Sequence, residues 1–201
     1  MRAVRWGGVT ILAAAASFVL VSAGPSVSAP TCTTTFTAAS GPWTTAANWS
    51  AGLPTATSYA CIAPGSTATL SVARTVDGVR IDGTLDGTGT LTIADAGTLN
   101  DSELNGAVNN APLKVNAGSL IINQGSMSGA GTTTLAAGAS MRVTNPGGSY
   151  GLILGDTRSV VNNGTVTLDQ STDTSLPSVL FNGSGMLLTN NNVLDLSLIH
   201  I

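Results

Sequence analysis

Two stretches of the chain align without gaps at an offset of 42 residues, and this alignment decides the fold class. The first reads Gly83-Thr-Leu-Asp-Gly-Thr-Gly-Thr-Leu-Thr-Ile-Ala-Asp-Ala-Gly-Thr-Leu99, and the second reads Gly125-Ser-Met-Ser-Gly-Ala-Gly-Thr-Thr-Thr-Leu-Ala-Ala-Gly-Ala-Ser-Met141. Six positions are identical, and others exchange one apolar side chain for another. Self-similarity at a fixed spacing is typical of repeat architectures. The offset corresponds to two coils of about 21 residues, a size that suits a β-solenoid.

Short runs with a period of two recur from about Thr67 onward, and glycine or asparagine bounds each run. In Thr90-Leu-Thr-Ile93 the aliphatic side chains face one side and the threonines the other, which indicates a strand. Asparagine tolerates left-handed backbone and can hydrogen-bond along a stack, so three clusters suit the corners of a coil: Asn109-Asn110, Asn162-Asn163 and Asn190-Asn191-Asn192.

The sequence therefore predicts an all-β chain folded as a parallel β-helix (β-solenoid) with an N-terminal cap. The alternative is a β-sandwich, which also has many short strands. Sandwich hairpins usually carry more aromatic residues and less gapless self-similarity, so the solenoid is preferred.

The composition excludes several classes of protein. The chain has 201 residues, of which 28 are threonine and only 8% are charged, so a helical bundle or coiled coil is excluded. A hydrophobic content of 43% with a net charge of −3 disfavours disorder. The chain is acidic and has no cluster of lysine and arginine, so no nucleic-acid partner is expected.

The N-terminus resembles a secretory signal peptide. Arg2 and Arg5 form a positive region, Val9 to Val21 is apolar, and Val21-Ser-Ala23 is a small-x-small cleavage pattern. Cleavage after Ala23 predicts a secreted or cell-surface protein with no membrane span after signal removal. The alternative is an uncleaved membrane anchor.

The last six residues, Leu196-Ser-Leu-Ile-His-Ile201, look like the translation of a sequencing adapter. In that interpretation the solenoid repeats of residues 67–195 are truncated and His200 is not natural. The alternative is a genuine last strand. The predicted organisation is then a signal (1–23), a linker and cap (24–66), the solenoid (67–195) and the adapter (196–201).

The predicted cap holds both cysteines and most of the tryptophans. A secreted context favours a disulfide between Cys32 and Cys61, which would close a loop of about 30 residues and stabilise the fold by roughly 3–4 kcal/mol. Trp43, Trp49 and Tyr59 are a candidate platform for stacking on sugar rings. The preferred interpretation is that these rings form the buried core of the cap, because large aromatic side chains supply most of the burial in a small module.

Nine of the ten acidic residues are aspartates, and four of them cluster in sequence near two arginines: Asp77, Asp82, Asp86 and Asp95, with Arg74 and Arg80. Such carboxylates could bind Ca²⁺ or serve glycoside chemistry. Asp-Gly is also an ordinary turn dipeptide, and turn residues are the preferred interpretation. Without a natural histidine no Ser/His/Asp or Cys/His triad is possible. We therefore expect no catalytic or metal site and no cofactor.

The segment from Gly41 to Pro54, which contains Trp43, the pair Asn48-Trp49 and Gly52-Leu-Pro54, resembles the opening of many large secreted bacterial repeat proteins. The glycine- and threonine-rich repeats are similar to those of autotransporter passengers and filamentous-haemagglutinin-like adhesins. Many such openings have an aspartate before the strand that follows the proline, but here that stretch reads Thr57-Ser-Tyr59.

The resemblance implies a secreted or surface β-helix that acts as an adhesin or scaffold, with surface glycans or cell surfaces as partners. The alternative is a β-helix polysaccharide lyase or hydrolase that uses Asp82, Asp86 and Arg80. A third possibility is a structural spacer that binds no ligand.

Overall fold

A computed structural model describes residues 30–95, 101–144, 150–169 and 179–195, so the predicted signal peptide and residues 196–201 lie outside it. The described residues form short strands and one 3-10 turn, Ala46–Asn48. The strands are β1 (Thr34–Phe36), β2 (Ser40–Pro42), β3 (Tyr59–Ile62), β4 (Thr67–Thr69), β5 (Arg74–Val76), β6 (Gly78–Ile81), β7 (Thr84–Asp86), β8 (Leu91–Ile93), β9 (Ser102–Leu104), β10 (Ala107–Asn109), β11 (Leu113–Val115), β12 (Ser119–Ile122), β13 (Gly125–Ser128), β14 (Thr132–Leu135), β15 (Ser140–Thr144), β16 (Leu152–Gly155), β17 (Ser159–Asn162), β18 (Thr165–Asp169), β19 (Val179–Asn182), β20 (Leu187–Asn190) and β21 (Val193–Asp195).

The strands stack into three parallel sheets, and each coil contributes one strand to each sheet. Sheet A has the order β1-β3-β6-β9-β12-β15-β18-β21, sheet B the order β2-β4-β7-β10-β13-β16-β19, and sheet C the order β5-β8-β11-β14-β17-β20. The described residues therefore make six complete coils, from β3 to β20, and β21 belongs to a seventh. This confirms the predicted β-solenoid and does not support the sandwich.

The 42-residue offset is a two-coil spacing. Leu85 lies beside Val108, and Val108 lies beside Met127, so the first and third residues of this column are 42 positions apart. The individual coils are unequal, because Thr67 pairs with Thr84, 17 positions on, whereas Thr165 pairs with Val193, 28 positions on. The strands keep their register, and the corners absorb the difference in length.

One corner has the same backbone conformation in four successive coils. The residue after the sheet B strand has a positive φ in each: Gly87 (116°), Asn110 (59°), Gly129 (74°) and Asp156 (55°). A Cβ atom on Gly87 would lie 2.3 Å from the carbonyl oxygen of Leu70, so this corner also requires a close approach between neighbouring coils. These are the positions at which glycine and asparagine are favoured.

The core runs through the centre of the coils. The middle residue of most sheet B strands faces inward and is fully buried, as in the column Ala68, Leu85, Val108 and Met127. Each fully buried aliphatic side chain contributes about 1.5–3 kcal/mol relative to an exposed one. Alternation places the threonine, serine and asparagine side chains of the same strands on the outside, which is the surface available for function.

Candidate functional site

The four aspartates that cluster in sequence are placed at three different corners of the solenoid. Asp82 lies between sheets A and B, and Asp86 ends the sheet B strand β7. Asp77 and Asp95 lie between sheets C and A, where the amide of Asp95 donates to the carbonyl oxygen of Asp77 (2.9 Å). Arg74 begins a sheet C strand. The fold thus separates the residues that a shared Ca²⁺ site would need to bring together.

Asp82 and Asp86 each make hydrogen bonds that hold neighbouring coils. Asp82 accepts from Nε of Arg80 (2.9 Å) and from the side-chain amide of Asn105 (2.7 Å). Asp86 accepts from the amide of Gly87 (2.7 Å) and from Asn110 (3.1 Å). The two aspartates lie at different corners, and each carboxylate already accepts hydrogen bonds within the stack, so the pair is not arranged as the two free carboxylates of a glycosidase.

The rest of the described chain does not support a metal site either. Among its residues, no group of three histidine, cysteine, aspartate or glutamate side chains could hold a metal ion. The preferred interpretation of Asp86-Gly87 as a turn is confirmed by its position at the corner with positive φ.

The aromatic residues of the cap are buried, so their ring faces are not available for stacking on a sugar. Trp43, Trp49 and Tyr59 are 0%, 4% and 2% exposed. Trp49 packs edge-on against both Trp43 (centroids 4.6 Å apart) and Phe36 (5.2 Å), and its Nε1 donates to the carbonyl oxygen of Trp43 (2.8 Å). The burial leaves no ring face for the stacking hypothesis, and Trp43 and Trp49 belong to the core cluster, as the preferred interpretation has it.

Tyr59 joins the first coil to the third. Its hydroxyl donates to the carbonyl oxygen of Asp101 (2.8 Å), and its ring lies over Gly78, where a Cβ atom would come within 2.6 Å of it. Burial, with a smaller contribution from Glu103, raises the pKa of the Tyr59 hydroxyl well above its usual range. Tyr59 is therefore a structural residue that stays protonated.

The disulfide between Cys32 and Cys61 is present, as predicted. The Cα atoms are 5.8 Å apart, within the usual range for a disulfide, and the two residues are 29 positions apart in sequence. Cys61 lies on the outward side of the sheet A strand β3, so the bond ties the residues preceding β1 to the outside of the first complete coil.

The outer face of sheet A carries charge and is partly engaged in ion pairs. Its outward column places Arg80, Glu103, Ile121 and Arg142 in consecutive coils. Arg80 pairs with Asp82, and Arg142 forms a close ion pair with Asp169.

The outer faces of sheets B and C instead carry rows of hydroxyl and amide groups with few charges. In sheet B the outward positions of successive coils form two columns, Thr67, Thr84, Ala107 and Ser126, and Thr69, Asp86, Asn109 and Ser128. In sheet C one column runs Thr75, Thr92, Lys114, Thr134, Val161 and Thr189. Neighbouring strands lie about 4.8 Å apart, so the polar groups of a column recur at that spacing, or at twice that spacing where Ala107 or Val161 intervenes.

Side chains also bond from coil to coil along the corners. Asn105 donates to Asp82, Asn123 donates to Asn105 (2.8 Å), and Thr144 donates to Asn123 (3.0 Å). At a second corner Asn191 donates to Asn163 (2.9 Å). The predicted bonding of asparagines along the stack is confirmed, whereas positive φ among the asparagines of the described residues occurs at Asn110 alone.

Sheet B has a shallow depression of about 290 Å³ on its outer side. Its lining combines the polar residues Gln124 and Ser126 with Tyr150 and Ile153, and includes Gly106 and Gly125. An aromatic ring beside amide and hydroxyl groups can accommodate one sugar residue, because the ring faces C–H groups and the polar atoms bind hydroxyls.

Sequence reasoning missed this depression and also missed Arg158. The side chain of Arg158 is fully buried, and it donates to the carbonyl oxygen of Ala111 (2.9 Å) and to the hydroxyl of Thr133 (2.8 Å). Burial lowers its pKa to about 10. In the sequence, Tyr150 was the available signal for the depression, because it is the one tyrosine outside the cap. The depression could not be recognised from it, because Gly106, Gln124 and Ser126 come from earlier coils.

Comparisons with protein-family models, curated proteins and solved structures give no match. The described residues contain no helix long and apolar enough to cross a membrane.

Proposed function

We propose that this chain is the N-terminal part of a secreted or cell-surface bacterial β-helix protein that acts as an adhesin or surface scaffold without catalysis. The main support for this proposal is the outer face of sheet B, where weakly charged rows of hydroxyl and amide groups continue over successive coils. Its partners are surface glycans or cell surfaces, and the depression beside Tyr150 takes one sugar residue.

A repeated polar face supports multivalent binding. A single exposed hydroxyl or amide gains little from a sugar, because each hydrogen bond replaces one to water. Groups that repeat along one rigid face bind successive units of a polymer at high effective concentration, so weak contacts add to useful avidity. A charge-poor face also suits neutral polysaccharides, which offer no ionic group to a salt bridge.

An extracellular location is supported by the disulfide. Such bonds persist in oxidising compartments and are rare in the reducing cytosol. Fusing residues 1–40 to a reporter enzyme tests this location: export with cleavage after Ala23 is expected, and a reporter retained in the cytoplasm contradicts it.

Glycan binding is tested by affinity electrophoresis of the chain in gels that contain a soluble glucan, xylan or mannan. Retardation by at least one polymer is expected. Tyr150→Ala and Ser126→Ala, which both alter the lining of the depression, should each reduce retardation severalfold. Thr167→Ala, on the outer face of sheet A, is the matched control and should leave it unchanged.

Two results would overturn the proposal. Release of oligosaccharides from any of these polymers would favour the enzyme alternative, although the separation of Asp82 from Asp86 gives it no support. If no polymer retards the chain and neither bacterial nor host cells retain it, only the hypothesis of a structural spacer remains.

A further inference from the structure

Arg158 carries a positive charge into the interior of the stack, at the corner between sheets B and C. It immediately precedes β17, and its side chain is fully buried. Gly131 occupies the same register position one coil earlier, and Ala111 occupies it two coils earlier. These small residues let the guanidinium run back along the inside of the corner, because a Cβ atom on Gly131 would lie 2.3 Å from its Nη1.

The hydrogen-bond partners of this guanidinium are neutral. Nη1 donates to the carbonyl oxygen of Ala111 (2.9 Å), and Nη2 donates to the hydroxyl of Thr133 (2.8 Å). That hydroxyl donates in turn to Sδ of Met127 (3.2 Å). Nε is buried and has no partner among the described residues. One donor of the guanidinium therefore lacks an acceptor, on the edge that commonly forks onto anions.

The charge of Arg158 has no carboxylate beside it in the described part of the chain. The ion pairs formed there belong to Arg80 and Arg142. Asp156, two positions before Arg158, is exposed and accepts from the amide of Gly129 (3.2 Å). Burial lowers the pKa of Arg158 only to about 10, so the guanidinium stays charged at neutral pH. Buried charges in proteins are normally paired, because burial of a lone charge is costly.

We infer that the buried guanidinium of Arg158 binds one chloride ion at Nε, inside the solenoid. The full burial of the side chain means that its counterion is enclosed with it. Phosphate would need donors for several oxygens, but the amides of Arg158 and Ser159 already donate to the carbonyl oxygens of Gly155 and Gly131. A single-atom anion needs fewer donors, and it supplies the charge that the carbonyl and hydroxyl partners lack. The site is independent of glycan binding.

An ordered water molecule is the competing occupant of this position. Water would accept from Nε but would leave the charge of Arg158 uncompensated. The two occupants differ in their effect on stability. Chloride that binds the folded chain alone stabilises it increasingly as its concentration rises, whereas a bound water gives no such dependence.

Thermal unfolding in chloride and in gluconate tests the site. The ionic strength is held constant while sodium gluconate, whose anion is too large to be enclosed, replaces sodium chloride. We expect the thermal midpoint of the wild-type chain to be several degrees higher in chloride, relative to the difference that Arg158→Met shows between the same two salts. Methionine keeps an unbranched side chain and removes the charge.

Arg142→Met is the matched control, because Arg142 is a half-exposed arginine on the outer face of sheet A. This variant should keep the wild-type response to chloride. General effects of the two salts act on all three proteins alike, so the comparison isolates the buried guanidinium. An equal response to chloride in wild type and Arg158→Met would overturn the inference.

Crystals of the wild-type chain grown in sodium bromide test the site without any variant, in case Arg158→Met does not fold. Bromide replaces chloride in such sites and scatters X-rays anomalously. An anomalous peak within hydrogen-bonding reach of Arg158 Nε is expected. A water molecule at Nε, or no density there, would overturn the inference.

Discussion

The two ends of the solenoid differ in whether the hydrophobic core is covered. At the first, Phe36, Trp43 and Trp49 cover the core, and a disulfide fastens the residues preceding β1 to the first complete coil. At the other, the inward side chains Phe181 and Leu188 leave apolar surface exposed. A stack of coils buries each inner face only against its neighbours, so every end needs a cover.

The interior changes along the same axis. Near the cap one inward column of sheet C is aliphatic, with Val76, Ile93, Val115 and Leu135 in register. The next two members are Asn162 and Asn190, which bond to each other (2.7 Å). The capped half therefore depends on apolar burial, whereas the open half adds buried hydrogen bonds, which stabilise only while every partner is present.

The largest expected effect is at the cap. Trp43→Ala should lower the free energy of unfolding by about 3–5 kcal/mol, because it removes a fully buried ring and leaves a cavity between Trp49 and the first coil. Urea denaturation measures the change. Phe181→Ala at the open end is the comparison and should lower the free energy of unfolding by no more than about 1 kcal/mol, because half of its side chain is already exposed. Equal losses at both positions would remove the distinction between the two ends.

Removing the disulfide should have the next largest effect. Cys32→Ser with Cys61→Ser should lower stability by roughly 3–4 kcal/mol, since the unfolded chain regains the freedom of a 29-residue loop. Reduced wild-type protein should match the double variant in the same denaturation experiment. Hydrogen exchange should show the loss of protection in β1 and β3. A loss confined to β19 and β20 would contradict the idea that the disulfide stabilises the capped end.

Replacement of the buried asparagine in the open half should have an intermediate effect. Asn162→Ala should destabilise by about 1–3 kcal/mol, because Asn190 Oδ1, the Val193 carbonyl oxygen and the Gly164 amide all lose a partner. A double-mutant cycle with Asn190→Ala should give a coupling of about 0.5 kcal/mol or more. Asn191→Ala, at an exposed position, is the control. Additive losses at Asn162 and Asn190 would mean that the hydrogen-bonded pair, of which only Asn162 is buried, does not act as a unit.

The smallest expected effect is a pH dependence from Arg158. Its pKa is about 10 in the folded chain, well below the ordinary value that it has in the unfolded chain, so above pH 10 the unfolded chain binds more protons and stability rises with pH. Below pH 10 both states are charged, and the folded state bears the full cost of the buried charge. Relative to Arg158→Met, wild-type stability should therefore rise by about 1 kcal/mol between pH 8 and pH 10.5. A constant difference across this interval would refute the lowered pKa.

The sequence was most informative where repetition and alternation coincide. Leu85 and Met127 were matched by spacing alone, and they lie in one column two coils apart. The disulfide was predictable because the chain has two cysteines and a predicted secreted location. The candidate site was harder to predict from the sequence. Asp82 and Asp86 are four residues apart but belong to different corners. Gln124 and Tyr150 line the same depression only because consecutive coils stack.

By itself, the sequence determined that the chain is all-β, that its aliphatic side chains face inward, and that its coils repeat. The physical reason is that the pleat of a strand fixes a period of two, which local sequence displays directly. The tertiary structure decided which coils are long or short, which corner holds each aspartate, that Arg158 is buried, and that one end is capped while the other is open. These features depend on register between distant strands, and register is set by the packing of whole coils.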